Sequence, residues 1–366
     1  MKTLFFMTII FATLSSHAAI CTNAGTLLPH TNPDGSTGGQ YHDTATVAAS
    51  VYMDVNARVC DTAVVTGDVV LRDDALVEGN ASVSGDVQVF DNGKIHGNAF
   101  VSEFAQIHDN ALVYDDVVVK GSADIGGSAQ VYQNAVVEGN AHLSETTIVR
   151  GTSQVLGSAR LSGSSIIEEN GRVSSNAKVS GSAVVKGNGH VTSAAQIRDN
   201  VVIQGNGFVA EGANLSGTVT VTGDAAVGGF TTTTPTTVAY IGDKAFVILS
   251  KNGLIDGIGI SISGKAYIDS NVVIKDSAKI YGSAYVSSYD VGELITIQNN
   301  AKVFGEANIG GSATIQDSAQ VSGQVNVYEN AIIGGTNVFT GDAIVRGSAD
   351  FSTGSTTYTT GLYFGL

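Results

Sequence analysis

Residues 77–100 read VEGNASVSGDVQVFDNGKIHGNAF; broken every six residues they become VEGNAS, VSGDVQ, VFDNGK and IHGNAF. Each piece opens on a branched aliphatic and turns through Gly, Asp or Asn, with a small residue or Val in fifth place. The register runs outward in both directions. From Tyr41 through Val227 every sixth residue is apolar, with no insertion or deletion. The fifth position is small at Ala45, Ala57, Ala63, Ala75, Ala81, Ala99, Ala105 and Ala111. An internal repeat of this length outranks every other signal in a chain.

A small residue and the next aliphatic stand two apart, so in an extended strand both point to one side. The intervening Gly-Asn, Gly-Asp and Asp-Asn pairs tolerate positive φ and make corners. Short strands separated by corners describe a coiled sheet around a column of Val, Ile and Ala. Composition agrees: of 366 residues 45 are Gly, three are Pro, none is Trp, and 14% are charged, a turn-rich all-β profile.

The pattern aliphatic-x-x-x-small-x resembles the hexapeptide repeat of left-handed parallel β-helices, a superfamily with bacterial acyltransferases and several non-enzymatic proteins. The resemblance covers roughly 41–227 and most of 262–356. It implies an all-β, left-handed, triangular solenoid with three hexads, about 18 residues, per coil. On that reading 1–18 is a signal peptide, 19–40 a cap segment and 41–227 a first array. An irregular insertion follows at 228–261, whose Thr-rich GGFTTTTPTTVAY is expected to protrude, since solenoids shed insertions at corners. A second array spans 262–356 with a shift at 287–296, and 357–366 is a tail. With coils ~4.8 Å apart, both arrays stacked would approach roughly 75 Å.

Met1-Lys2, the apolar run Leu4 to Leu14, and small Ser16 and Ala18 read as a secretory signal, too short for a permanent membrane span. Export to the periplasm or surface of a bacterium is expected, without membrane insertion. Cys21 and Cys60 are the only cysteines, and an oxidising compartment favours one bridge between them. The formal charge of −15 argues against nucleic acid and anionic lipid.

Positions 18 apart should stack, so exposed columns can be read. Asn80, Asn98, Asp116, Asn134, Thr152, Asn170, Asn188 and Asn206 form one corner, expected as an amide ladder. Asp73, Asp91 and Asp109, with Asp74 beside the first, form an acidic corner and a candidate Ca²⁺ site. Ile148, Ile166, Val184 and Val202 form an outward apolar stripe, to be covered by a partner subunit or by the second array. On the same face His96, Tyr114, Tyr132 and Arg150 form a strip of rings ending in a guanidinium, a candidate glycan surface bounded by Glu78 and Glu168.

Acyltransferases of the resembling superfamily use a His base and extrude a loop to complete the acyl-CoA site. Here His42, His96, His108, His142 and His190 all occupy outward hexad positions, and none lies in an inserted loop. The superfamily's catalytic residues therefore have no position to be carried onto. The G-x-x-G matches are repeat corners without a following helix. An ice-binding Thr ladder fails, because one coil below Thr220 and Thr222 stand Val202 and Gln204. The expected function is a non-catalytic secreted solenoid, a rigid surface component or adhesin-like binder of a glycan, with acyl transfer as the alternative.

Overall fold

The computed structural model describes residues 21, 23, 25–288, 290 and 292–365. The signal segment 1–18 lies outside the described residues. Among the described residues every regular element is a strand and none is a helix. Strands pair in parallel with the strand one coil on. Val77 lies between Val59 and Ile95, Val83 between Val65 and Val101, and Val89 between Leu71 and Ile107. These three residues name the three faces of a triangular parallel solenoid of about 18 turns. At ~4.8 Å per turn the rod is roughly 85 Å long.

Inward positions are as the alternation requires. Val77, Ile95 and Val113 are fully buried, as are Ala75, Ala99 and Ala111, within one core cluster that runs the length of the rod. Corners take positive φ at Gly or at a polar residue, most often an acid, as at Asp73 (52°), Asp91 (55°) and Asp109 (55°). Short polar side chains enter this region more readily than other non-Gly residues.

The two arrays form one continuous rod. Thr218–Val221 pairs with Val238–Ile241, which pairs with Ile258–Ile262. Ala226–Gly229 pairs with Phe246–Leu249, which pairs with Tyr267–Ser270. The expected protrusion at the Thr-rich stretch is absent. Thr231, Thr233 and Thr237 are buried, and their hydroxyls donate to the carbonyls of Gly228 (2.7 Å), Ser216 (2.8 Å) and Ile255 (3.3 Å). A Thr fills a Val-shaped position once its hydroxyl has an acceptor. The hexad register fails there because coils lengthen, from 18 residues between Asn214 and Thr232 to 20 between Val219 and Ala239. The larger outgrowth lies at the 287–296 shift, where Val273 pairs with Thr296, 23 residues on.

Both ends are closed. At the N-terminal end Leu27–Thr31 pairs antiparallel with Thr37–His42. The Asn32 amide then stands where a preceding coil would: its Oδ1 accepts the Met53 N–H at 2.8 Å and its Nδ2 donates to the Met53 carbonyl at 3.1 Å. Cys21 and Cys60 form a disulfide with Cα atoms 5.5 Å apart. At the other end the expected tail is a last coil, with Thr357–Tyr358 on Val338–Phe339 and Leu362–Gly365 on Ile344–Gly347. Its Tyr358 stacks on buried Phe339 at 4.4 Å, and Tyr363 meets Phe339 edge-on, so aromatic rings close the core.

Candidate functional site

The Val77 face carries the aromatic strip. His96 stacks on Tyr114 at 4.8 Å and 2°, and Tyr114 on Tyr132 at 4.9 Å and 3°. Arg150 continues the column, donating from Nη1 to the Tyr132 hydroxyl at 3.1 Å. Its Nε and Nη2 donate to Glu168 Oε2 at 3.0 and 2.5 Å. The strip therefore exists as expected, with two corrections of chemistry. The cation is paired with Glu168, so an acidic ligand would compete with that carboxylate. The rings use their π-faces on one another, so ring edges, not a flat platform, are left for a ligand. Burial raises the Tyr114 phenol above its ordinary value, with Tyr132 adding to the effect, so it remains a neutral hydrogen-bonding group.

Similar stacks occur on every face: Phe90 on His108 at 4.9 Å on the Val89 face, and Phe246–Tyr267–Tyr285 at 5.1 and 5.0 Å on the Val83 face. In-register parallel coils place like residues ~4.8 Å apart, so ladders arise wherever aromatics repeat. Asn ladders arise the same way. Asn80 Nδ2 donates to Asn98 at 3.2 Å, Asn98 to Asp116 at 2.8 Å, and Asn170 to Asn188 at 3.1 Å.

The acidic corner is built from carboxylates that bind the next coil's backbone. Asp73 Oδ2 accepts the Asp91 N–H and Asp91 Oδ2 the Asp109 N–H, both at 3.3 Å; Asp109 Oδ2 accepts the Gly127 N–H at 2.8 Å. Amide dipoles thus offset part of the column's charge. Ligand atoms of Asp91, His108 and Asp109 lie within 4.8 Å of one another, while Asp73 and Asp74 stand outside that group. His108 bridges carboxylates, with Nδ1 3.0 Å from Asp109 and Nε2 2.7 Å from Asp124, and His142 Nδ1 lies 2.9 Å from the other Asp124 oxygen. The sequence reading missed this His–Asp–His arrangement, because partners 16 and 18 residues apart become neighbours only through the coil register.

Ile148, Ile166, Val184 and Val202 align in register on the Val77 face and are half-exposed. The second array extends the rod along its axis, so it does not cover them.

One hydroxyl–imidazole pair also went unforeseen: Ser174 Oγ lies 3.0 Å from His190 Nε2. It is a poor nucleophile–base pair. Ser174 donates to Thr192 at 2.9 Å, and no carboxylate accepts a hydrogen bond from His190 to orient it among the described residues. Beside the outgrowth lies an open cleft of about 330 Å³ lined by Ser250, Lys251, Asn252, Ser270, Asn271, Ser288 and Asp290. His42 is buried, its Nδ1 accepting the Asp61 N–H at 2.8 Å. The fold defines the chain as a parallel β-solenoid with about 18 residues per turn. No family model and no curated protein matches the chain.

Proposed function

We propose that the chain is a non-catalytic solenoid of the hexapeptide-repeat type, exported to a bacterial periplasm or surface and serving as a rigid, adhesin-like binding rod. One observation carries this reading. Polar side chains along the first array are bonded to the neighbouring coil: Asp109 to Gly127, His108 to Asp124, Arg150 to Glu168. A catalytic base needs a free acceptor facing a substrate, and a site needs walls that exclude water. Here the strands of the first array pair at 18-residue intervals, with no loop projecting to supply such walls. The Cys21–Cys60 disulfide suits an oxidising compartment.

The ligand class that fits best is a glycan engaged through hydrogen bonds to the Tyr114 and Tyr132 edges, with the cleft at Ser250 and Asn271 as the next surface. The test is a glycan array probed with the wild type and with a Tyr114→Ala/Tyr132→Ala variant of matched melting temperature. Retention by the wild type and its loss in the variant support the reading. Equal retention moves the site to the cleft. Acylation of an acceptor on incubation with acyl-CoA would replace binding with transfer.

A further inference from the structure

The half-exposed stripe on the Val77 face stands beside a row of alternating charge: Arg150, Glu168 and Lys186 in successive coils. Glu168 is bound to Arg150 at 2.5 Å, while Lys186 forms no ion pair among the described residues. Aliphatics and charges run as two parallel columns, so their fit to a second identical face depends on the symmetry axis. A two-fold parallel to the rod and centred between the columns would set the aliphatic column against the charged one, desolvating charge on hydrocarbon. A two-fold along the strand direction reverses the rod and keeps each column facing itself, the self-complementary condition of a symmetric dimer.

Register then decides. Centring the axis on the coil of Ile166 opposes Glu168 to Glu168, and centring it on the coil of Val184 opposes Lys186 to Lys186. Placing it midway between these coils sets Ile166 on Val184, Ile148 on Val202, Gln130 on Thr220 and Leu112 on Tyr240, the last 41% exposed. The same register opposes Glu168 to Lys186 twice. We propose that a second copy of this chain docks antiparallel on the Val77 face in this register. The coils from Leu112 to Tyr240 span roughly 35 Å, and a strand with its corner is about 15 Å wide; the same span covers Tyr114 and Tyr132, so docking and glycan binding at those edges compete. That gives about 500 Å² per copy, near the lower limit for a specific interface.

Sedimentation velocity from about 1 to 200 µM tests this, with melting curves checking that each variant folds. The wild type is expected to dimerise. Lys186→Glu alone and Glu168→Lys alone oppose like charges twice and are expected to remain monomeric. An equimolar mixture of the two restores both opposite pairs and is expected to dimerise again. Ile166→Lys is expected to be monomeric. A wild type that stays monomeric at 200 µM overturns the proposal. So does dimerisation of either single charge variant at wild-type strength, or a mixture that stays monomeric.

Discussion

Glu169 and Gly187 occupy the same corner of successive coils, and the Glu169 carboxylate accepts the Gly187 backbone N–H at 2.8 Å. The relationship recurs at Asp61 with Gly79, Asp115 with Gln133, Glu145 with Gly163, Asp199 with Gly217 and Glu211 with Gly229. The chain turns away from the sheet at each corner, so that amide lacks a ladder carbonyl, and a carboxylate from the coil before supplies the acceptor. Many of the acids behind the charge of −15 are therefore parts of the scaffold.

Acid should loosen the corner at Asp109, whose carboxylate accepts the Gly127 N–H in the same way. The Gly127 N–H, with a further contribution from His108, holds the Asp109 carboxyl below its ordinary value of 3.8. A depressed folded value means stability present above pH ~4 and lost as pH falls through the lower folded value. The Asp109 contribution to the melting temperature is expected to hold steady from pH 7 to 5 and to be lost below pH 4. Asp109→Asn should weaken that fall, and an unchanged acid profile in the variant would remove this corner from the account.

His190 should act in the same direction at higher pH. Burial first, and Arg172 second, hold its imidazole below the ordinary value of 6.5. The folded state then binds fewer protons than the unfolded one, so stability is greatest above pH ~6.5 and declines as pH drops toward the folded value. An NMR titration should place the His190 midpoint below that of a His peptide. A midpoint at or above the peptide's refutes this.

The core column should resist change. Val137 and Ala141 are fully buried. Val137→Asp places a carboxylate among aliphatics and should cost several kcal/mol or force the group neutral. Ala141→Leu overfills a corner at about 1–3 kcal/mol. Urea unfolding midpoints indistinguishable from the parent would show these side chains to point outward.

Reduction should act on the N-terminal end. Cys21 and Cys60 close a loop with a sequence separation of 39. In the chain-entropy treatment such a loop stabilises by about 4 kcal/mol. Because the cap covers the first coils, its release should expose a strand edge and promote end-to-end association. Cys21→Ser/Cys60→Ser is expected to form elongated aggregates by light scattering. Intact mass under non-reducing conditions should show no free thiol in the parent.

What the sequence determined by itself was the repeating part. An aliphatic every sixth residue with a small partner two before it leaves one inward side, and the three hexads per coil that the resemblance implies make columns at 18, so the Asn80–Asn98 ladder and the Ile148–Ile166 stripe could be written down beforehand. These features depend on local alternation and on one constant. Tertiary structure decided whatever depends on two coils meeting at a particular height: Glu168 taking up Arg150, His108 bridging Asp109 and Asp124, and Asn32 completing the edge at Met53. It also decided the fate of Thr231, Thr233 and Thr237, polar in sequence yet inside the core. A hydroxyl is buried or exposed according to whether a carbonyl from another turn lies within reach, and that distance is set by coil length, which near these residues changes from 18 to 20.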